Sequence, residues 1–341
     1  MCGIIYYRGK EKSLADLFNL MVEQRSRGDE DGMGFYDFSK GVLEKTTLKF
    51  DEILKGKIDK ERYAEKMIPQ KIKKTKTKVK KEYIKQIKKE WNNELRKWQE
   101  LLTHQTNEAL FHHRKASSGW ISTENSQPYW DEENRKLYAH NGTCRGADAV
   151  REFMKEFDNT KFDTEVDTEV LKNLYLKFEG KIQNNEILTK LSKFFDFGVF
   201  FISDLNKHLV FLDGKRTLYK YQLVDDGTLL ISEPSFQVKK FKECQFLQEG
   251  VGRIVNGTFS FEGKMVDVTD KLRKKVKEKH RNRKCDTCRT IKQTFEVGVE
   301  DVCLDCWCRN KFKAEKVLNN SFYGLDRYVT EVYRNGKRYF V

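Results

Sequence analysis

The sequence predicts an α+β protein with two basic appendages, and three observations carry that expectation. Residues 148–157, 168–178 and 186–195 have helical apolar spacing, and short apolar or alternating strands follow at 197–203, 208–212 and 228–232. A net charge of +14 is concentrated in two places: residues 55–100 carry seventeen Lys/Arg against seven Asp/Glu, and residues 271–289 carry ten against two. The remaining chain is therefore slightly acidic. Finally, Cys285-x-x-Cys288 and Cys303-x-x-Cys306 form paired knuckles near the C-terminus.

From the N-terminus, Met1-Cys2-Gly3 is a start from which the initiator methionine is easily removed. That would expose a thiol and an α-amine on one residue. An α-amine titrates near roughly 7.7–8.0 and a thiol near about 8.5, so the amine can take the thiol proton at physiological pH. Next comes Arg27-Gly28-Asp29-Glu30-Asp31-Gly32-Met33-Gly34, a glycine-punctuated loop suited to folding over a ligand.

The first basic appendage occupies residues 55–105. Ile84, Ile87, Trp91, Leu95, Trp98 and Leu102 recur at three- and four-residue spacing on one helical face, and Pro69 separates them from a shorter helix around Tyr63 and Met67. A basic helical hairpin is expected, its stripe packing on itself, on the domain or on a partner. Basic clusters of this size point to nucleic acid or another acidic surface, with a solvated lysine-rich helix as the plain alternative.

Four clusters then bear chemistry. His112-His113-Arg114-Lys115-Ala116-Ser117 ends an apolar strand, and Arg114 can hold a carboxylate in a bidentate fork. Asn125-Ser126-Gln127-Pro128 reads as a turn. His140-Asn141-Gly142 brings a side-chain amide and a backbone N–H toward one oxygen, which is oxyanion-hole chemistry. Asp167-Thr168-Glu169-Val170 opens an amphipathic helix; Asp167 reads as an N-cap, as an ammonium ligand, or as both. His112, His113 and His140 are expected to be structural.

These clusters, in this order, resemble the class II glutamine amidotransferases, and the likeness spans residues 2–245. It implies a four-layer αββα N-terminal-nucleophile hydrolase fold. It further implies that Cys2 attacks the side-chain amide of glutamine to form a thioester, with Asn141 and the N–H of Gly142 holding the oxyanion. Arg114 would bind the substrate carboxylate and Asp167 its ammonium, while Arg27, Gly28 and Ser117 would complete the substrate site. The chain departs from the family in an extra residue between Arg27 and Gly34, in Lys115 where an aromatic is common, and in Gln127 where the turn has histidine.

Residues 246–341 form a separate basic C-terminal region. Around 285–308, four thiolates can close a tetrahedral shell around one structural zinc, from Cys285, Cys288, Cys303 and Cys306, with Cys308 as an alternative to Cys306. Cys144 and Cys244 read as isolated core thiols. Asn335-Gly336 is a hairpin signal. No phosphate-binding glycine loop follows the body, so the resemblance implies an ammonia-accepting synthase or synthetase on another chain. Without an apolar run of about 18 residues or a signal peptide, a cytoplasmic chain with no membrane association is expected. Two rival readings are an amidohydrolase of the same fold acting on another γ-glutamyl or amide substrate, and an idle scaffold that binds nucleic acid.

Overall fold

The computed structural model describes residues 2–24, 31–49, 52–53, 77–115, 121–204, 207–235, 238, 240–279, 282–284, 291–297, 300–303, 331–334 and 337–340. It divides into two compact units, 1–269 and 270–341.

The first unit begins with β1 (Gly3–Ser13) and α1 (Leu14–Glu23). The Oγ of Ser13 accepts the N–H of Asp16 at 3.2 Å and starts the helix. Leu14, Leu17, Phe18 and Met21 then fall on one face and are all buried. β2 (Met33–Asp37) and β3 (Val42–Thr46) precede α2 (Thr77–Leu102), the long helix expected from the apolar stripe. Trp91, Leu95 and Trp98 are buried, and the Trp98 ring lies 6.3 Å from Phe18 and 5.5 Å from Phe35. This C-terminal part of the stripe therefore packs on the domain itself, while the side chains of Ile84 and Ile87 lie outside those described. Each buried side chain contributes about 1.5–3 kcal/mol of burial, enough to hold a helix whose charge would otherwise keep it in water. The shorter helix around Tyr63 and Met67 lies outside the described residues.

β4 (Gln105–His113), β5 (Tyr129–Asp131) and β6 (Lys136–Thr143) lead into three consecutive helices, α3 (Ala147–Asp158), α4 (Asp167–Phe178) and α5 (Asn184–Phe194). Each matches the helical spacing read from the sequence to within two residues. β7 (Asp196–Asp204), β8 (Lys207–Leu212), β9 (Leu218–Leu223) and β10 (Thr228–Ile231) follow, and β11 (Phe241–Val255) and β12 (Thr258–Asp267) close the body.

The strands run in the order β3-β2-β4-β1-β10-β9-β11-β8-β7-β6-β5, with β12 along the free side of β11. β11 belongs to both halves: Phe241–Leu247 pair with β9 and Gly250–Val255 with β8. Its register slips between Leu247 and Gly250 on the β12 side, and such an irregularity bends a strand. The two halves stack face to face. Ile4, Tyr6, Leu110 and Leu230 from one meet Ala139, Val199, Phe201 and Val210 from the other. On the outer side of the second half, Phe200, Ile202 and Phe211 pack against Val170, Leu171, Tyr175, Ile187 and Leu191 of α4 and α5. Covered on both faces, β7 reads as a nearly continuous apolar run. The result is the four-layer αββα arrangement.

The body does not stop at residue 245, where the sequence reading placed its boundary. Strand pairing carries it through β11 and β12 to residue 269. No helix among the described residues is long and apolar enough to cross a membrane.

In the second unit, α6 (Thr269–Lys279) overlaps the boundary, and β13 (Asn282–Lys284), β14 (Ile291–Val297) and β15 (Glu300–Cys303) form an antiparallel sheet. β16 (Glu331–Arg334) and β17 (Lys337–Phe340) pair with Arg334 opposite Lys337, as a hairpin around Asn335-Gly336 requires.

Candidate active site

Strand register assembles the site. Gly3 pairs with His113 between β1 and β4, so Cys2 and Arg114 leave adjacent strands at the same end. In the other half β6 pairs with β7, and the register between them slips between Asn141 and Thr143. Two residues of β7, Phe197 and Gly198, there oppose one residue of β6, so the bulge lies in β7 and Gly142 is the single residue facing it. Cys2, Arg114, Lys115, Gln127, His140, Gly142, Val166 and Asp167 line one narrow pocket. A larger cleft, about 600 Å³ and lined by residues including Tyr175, Lys207, Arg253 and Glu262, lies toward the opposite end of β7 and has no cysteine, serine or threonine in its lining.

The thiol of Cys2 is 8% exposed, and its Sγ donates to the carbonyl of Lys115 at 3.7 Å. Burial pushes its pKa up, against the lowering effects of that hydrogen bond and of Arg114, and Asp167 adds to the rise. The Cys2 thiol is thus held in its neutral form.

Asp167 is buried at the first turn of α4, where the helix N-terminus favours a carboxylate. It does not serve as an N-cap; Val166 holds that position without a side-chain cap. Instead its Oδ2 accepts the N–H of Cys144 at 2.8 Å, tying α4 to the segment after the oxyanion strand. The approach to Asp167 is also fixed. Arg151 donates to the carbonyls of Thr164 and Val166 at 2.5 and 2.8 Å, and Glu169 accepts the N–H groups of Asp163 and Thr164.

Two of the histidines are structural in their contacts. His140 bonds through Nε2 to the carbonyl of Phe197 at 2.6 Å and through Nδ1 to Thr168 Oγ1 at 3.2 Å. His112 Nε2 donates to the carbonyl of His140 at 2.9 Å. Burial lowers the pKa of both, so both stay neutral. Gln127, in the turn whose Gln127–Pro128 peptide is cis, accepts the N–H of His140 at 2.6 Å and donates to Thr168 at 2.9 Å. One amide thereby links β6 to the helix that carries Asp167.

Asn141 is fully buried behind the pocket wall, its Nδ2 donating to Ser232 Oγ at 3.0 Å. Sequence reasoning gave Ser232 no role, because nothing local marks a serine 91 positions away as a partner of Asn141. Of the expected site residues, the structure brings Cys2, Arg114, Asn141, Gly142 and Asp167 together. Arg27, Gly28, Ser117, Cys285, Cys288 and Cys306 lie outside the described residues, and Cys303 ends β15. Cys144 and Cys244 are buried free thiols, as expected. His140, Cys144 and Asp167 offer ligand atoms within 4.8 Å of one another, but the Asp167 and His140 atoms are already engaged in the hydrogen bonds above.

No protein-family model matches the chain. Glutamine–fructose-6-phosphate aminotransferase (isomerizing) of Aquifex aeolicus strain VF5 is 25% identical over 211 residues, which is 61% of this chain and 28% of that relative's length. Among solved structures, a glutamine phosphoribosylpyrophosphate amidotransferase from B. subtilis, complexed with ADP and GMP, aligns over 77% of this chain and 49% of its own, with 18% identity and a TM-score of 0.51. An allosteric regulatory enzyme of purine biosynthesis aligns over the same shares, with 20% identity and a TM-score of 0.52. The chain carries the class II glutamine amidotransferase fold. The chain spans less than half the length of these relatives.

Proposed function

We propose that this chain is a glutamine-hydrolysing subunit that forms a Cys2 thioester and passes ammonia to an acceptor enzyme on another chain. One observation carries the reading: Cys2, Arg114, Gly142 and Asp167, distant in sequence, line a single pocket. The two charged groups suit the two ends of an amino acid, and the thiol and the N–H of Gly142 suit its amide.

In this mechanism the α-amine of Cys2, freed by loss of Met1, takes the thiol proton as Sγ bonds to the substrate Cδ. The carbonyl oxygen becomes an oxyanion held by Gly142 N–H and Asn141 Nδ2. The tetrahedral species then collapses, the C–N bond breaks, and the proton leaves with ammonia. Water next attacks the thioester, releasing glutamate and restoring the thiol. Arg27 and Gly28 are assigned to a lid over the substrate and Ser117 to substrate binding, as the family resemblance implies.

The second unit is assigned a structural zinc held by Cys285, Cys288, Cys303 and Cys306, or by Cys308 in place of Cys306. The strand register supports this. Cys285 directly follows Lys284, which pairs with Ile291, and Cys303 pairs with Thr294 while its chain runs toward the Ile291 end. The basic segments 55–100 and 271–289 are assigned to recruiting the acceptor enzyme or its nucleic-acid substrate in the cytoplasm.

The test is glutamate release from glutamine by the purified chain beginning at Cys2, alongside Cys2→Ala. Hydrolysis lost in Cys2→Ala with unchanged thermal unfolding is the expected result. Hydrolysis by a chain that mass spectrometry shows to retain Met1 would overturn the amine-assisted mechanism.

A further inference from the structure

We propose that Ser232 is a positioning residue for amide hydrolysis, whose hydroxyl aims the side chain of Asn141 relative to the strand that carries Cys2. The inference rests on the amidotransferase reading above and concerns a residue with no place in that mechanism.

Ser232 directly follows β10, is completely buried, and meets three groups at once. Its Oγ accepts the N–H of Ile4 at 2.9 Å and an Nδ2 hydrogen of Asn141 at 3.0 Å. The hydroxyl proton faces the carbonyl of Ile4 at 3.3 Å, which also takes the N–H of Ser232 at 3.0 Å. A hydroxyl has one proton and two acceptor sites, so all of them are committed. The oxygen is a joint between β1, two residues after the nucleophile, and β6, where the oxyanion donor sits. These strands belong to opposite halves of the sandwich.

An Asn amide nitrogen has two hydrogens, and the torsion that aims them is broad and soft. Ser232 holds one and leaves the other for a substrate oxygen. Asn141 Oδ1 is buried without a hydrogen-bond partner among the described residues. Without Ser232 the amide can rotate and spend its donors elsewhere. Ground-state binding by Arg114 and Asp167 would be untouched, because neither contacts Ser232. The effect belongs to the transition state, where charge reaches the oxygen.

The experiment measures glutamine hydrolysis by the full chain and by Ser232→Ala, Ser232→Thr, Asn141→Ala and the Ser232→Ala/Asn141→Ala double variant. Rates are divided by active sites titrated with a diazoketone analogue of glutamine, so that unfolded protein does not count. Ser232→Ala should lower kcat by about 10- to 100-fold, less than outright loss of a donor, with KM within about threefold. Ser232→Thr, which keeps the hydroxyl, should recover most of kcat. In the Asn141→Ala background the serine change should cost almost nothing more, because its effect passes through the missing amide.

A kcat for Ser232→Ala within twofold of the unmodified chain overturns the role. An equal loss with and without Asn141 also overturns it, since the serine would then be holding the fold. If Ser232→Ala yields no titratable protein, Ser232→Cys, close in volume but a poor acceptor, carries the same criteria. An unmodified chain that does not hydrolyse glutamine sinks the amidotransferase reading and this role with it, a result distinct from an active chain indifferent to Ser232.

Discussion

Adding one methyl group at Gly142 tests directly where the oxyanion donor sits. A Cβ on this residue would lie 1.7 Å from the carbonyl oxygen of Phe197, 2.4 Å from its carbon and 2.8 Å from His140 Nε2. The carbonyl is not free to swing away, because His140 Nε2 bonds to it at 2.6 Å. The next residue is equally confined: Gly198 has φ 76°, and a Cβ there would meet the carbonyl of Asn141 at 2.5 Å. The two glycines let the peptides of β6 and β7 press together at the bulge. Ordinary contact distances would require the strands to part by more than about 1 Å, and the displaced group would be the N–H of Gly142. Misplacement on that scale costs about 10²-fold, and loss of an oxyanion donor about 10²–10³-fold, or roughly 2.7–4 kcal/mol. Overpacking costs about 1–3 kcal/mol of stability, less than a typical domain's total, so Gly142→Ala should fold. Its kcat for glutamine, per titrated active site, should fall at least about 100-fold, with thermal unfolding still cooperative. Wild-type kcat in Gly142→Ala would place the oxyanion elsewhere and refute the reasoning.

Other perturbations separate binding, stability and metal. Arg114→Ala and Asp167→Asn should each raise the glutamine KM steeply, since each leaves one charged end of the substrate unpaired at a cost of about 2–5 kcal/mol; unchanged KM in both would put recognition outside this pocket. Glu108→Ala should cost about 2–4 kcal/mol in urea unfolding at neutral pH, because Glu108 accepts from the buried Tyr6 hydroxyl at 2.6 Å and bonds to buried His208 at 2.7 Å. Burial alone would raise the Glu108 pKa, but hydrogen bonds from His208 and Tyr6, with the charges of His208 and Arg8, bring it below its ordinary value. The carboxylate's contribution is therefore present above about pH 4.3, the unfolded value, and is lost as pH falls through the lower folded one; a stability difference that grows on acidification would contradict this. The full chain should hold about one zinc, and Cys303→Ser should release it while glutamine hydrolysis continues. Full zinc retention in Cys303→Ser would remove Cys303 from the ligand set.

The candidate groups that share one pocket were legible because chemistry restricts residue type. A nucleophile, a carboxylate fork, an oxyanion pair and an acidic helix start can each be recognised alone, and their order adds the rest. Partners chosen only by strand register were not legible. Ser232 reaches Asn141, and the carbonyl of Phe197 reaches Gly142, because β10, β1, β6 and β7 converge, and nothing near either residue encodes that meeting. The stripe on α2 showed which face would be buried but not against what; the rings of Phe18 and Phe35 supply the answer. The boundary at 245 failed for a related reason. It falls inside β11, whose first part belongs with β9 and whose second part belongs with β8, so a single strand carries the body onward past the point where the family likeness in the sequence ends.

The histidines bear on the mechanism by what they are used for. His112 on β4 and His140 on β6 stand close to Asn141 and Gly142, where an imidazole base would be useful. Yet His140 spends its two ring nitrogens on Phe197 and Thr168, and His112 Nε2 is committed to the carbonyl of His140. Burial keeps both neutral, so they act as strand-to-strand connectors. The thiol of Cys2, raised by burial and donating to Lys115, cannot supply much thiolate unaided near neutral pH. A base near pKa 7.7–8.0 on the same residue meets that need without a side chain from elsewhere. The consequence is measurable: kcat/KM for glutamine should rise with pH through about 7–8 as the amine loses its proton, and the rise should persist in His112→Gln and His140→Gln proteins that remain folded. A pH profile that moves with either histidine would return the proton transfer to an imidazole.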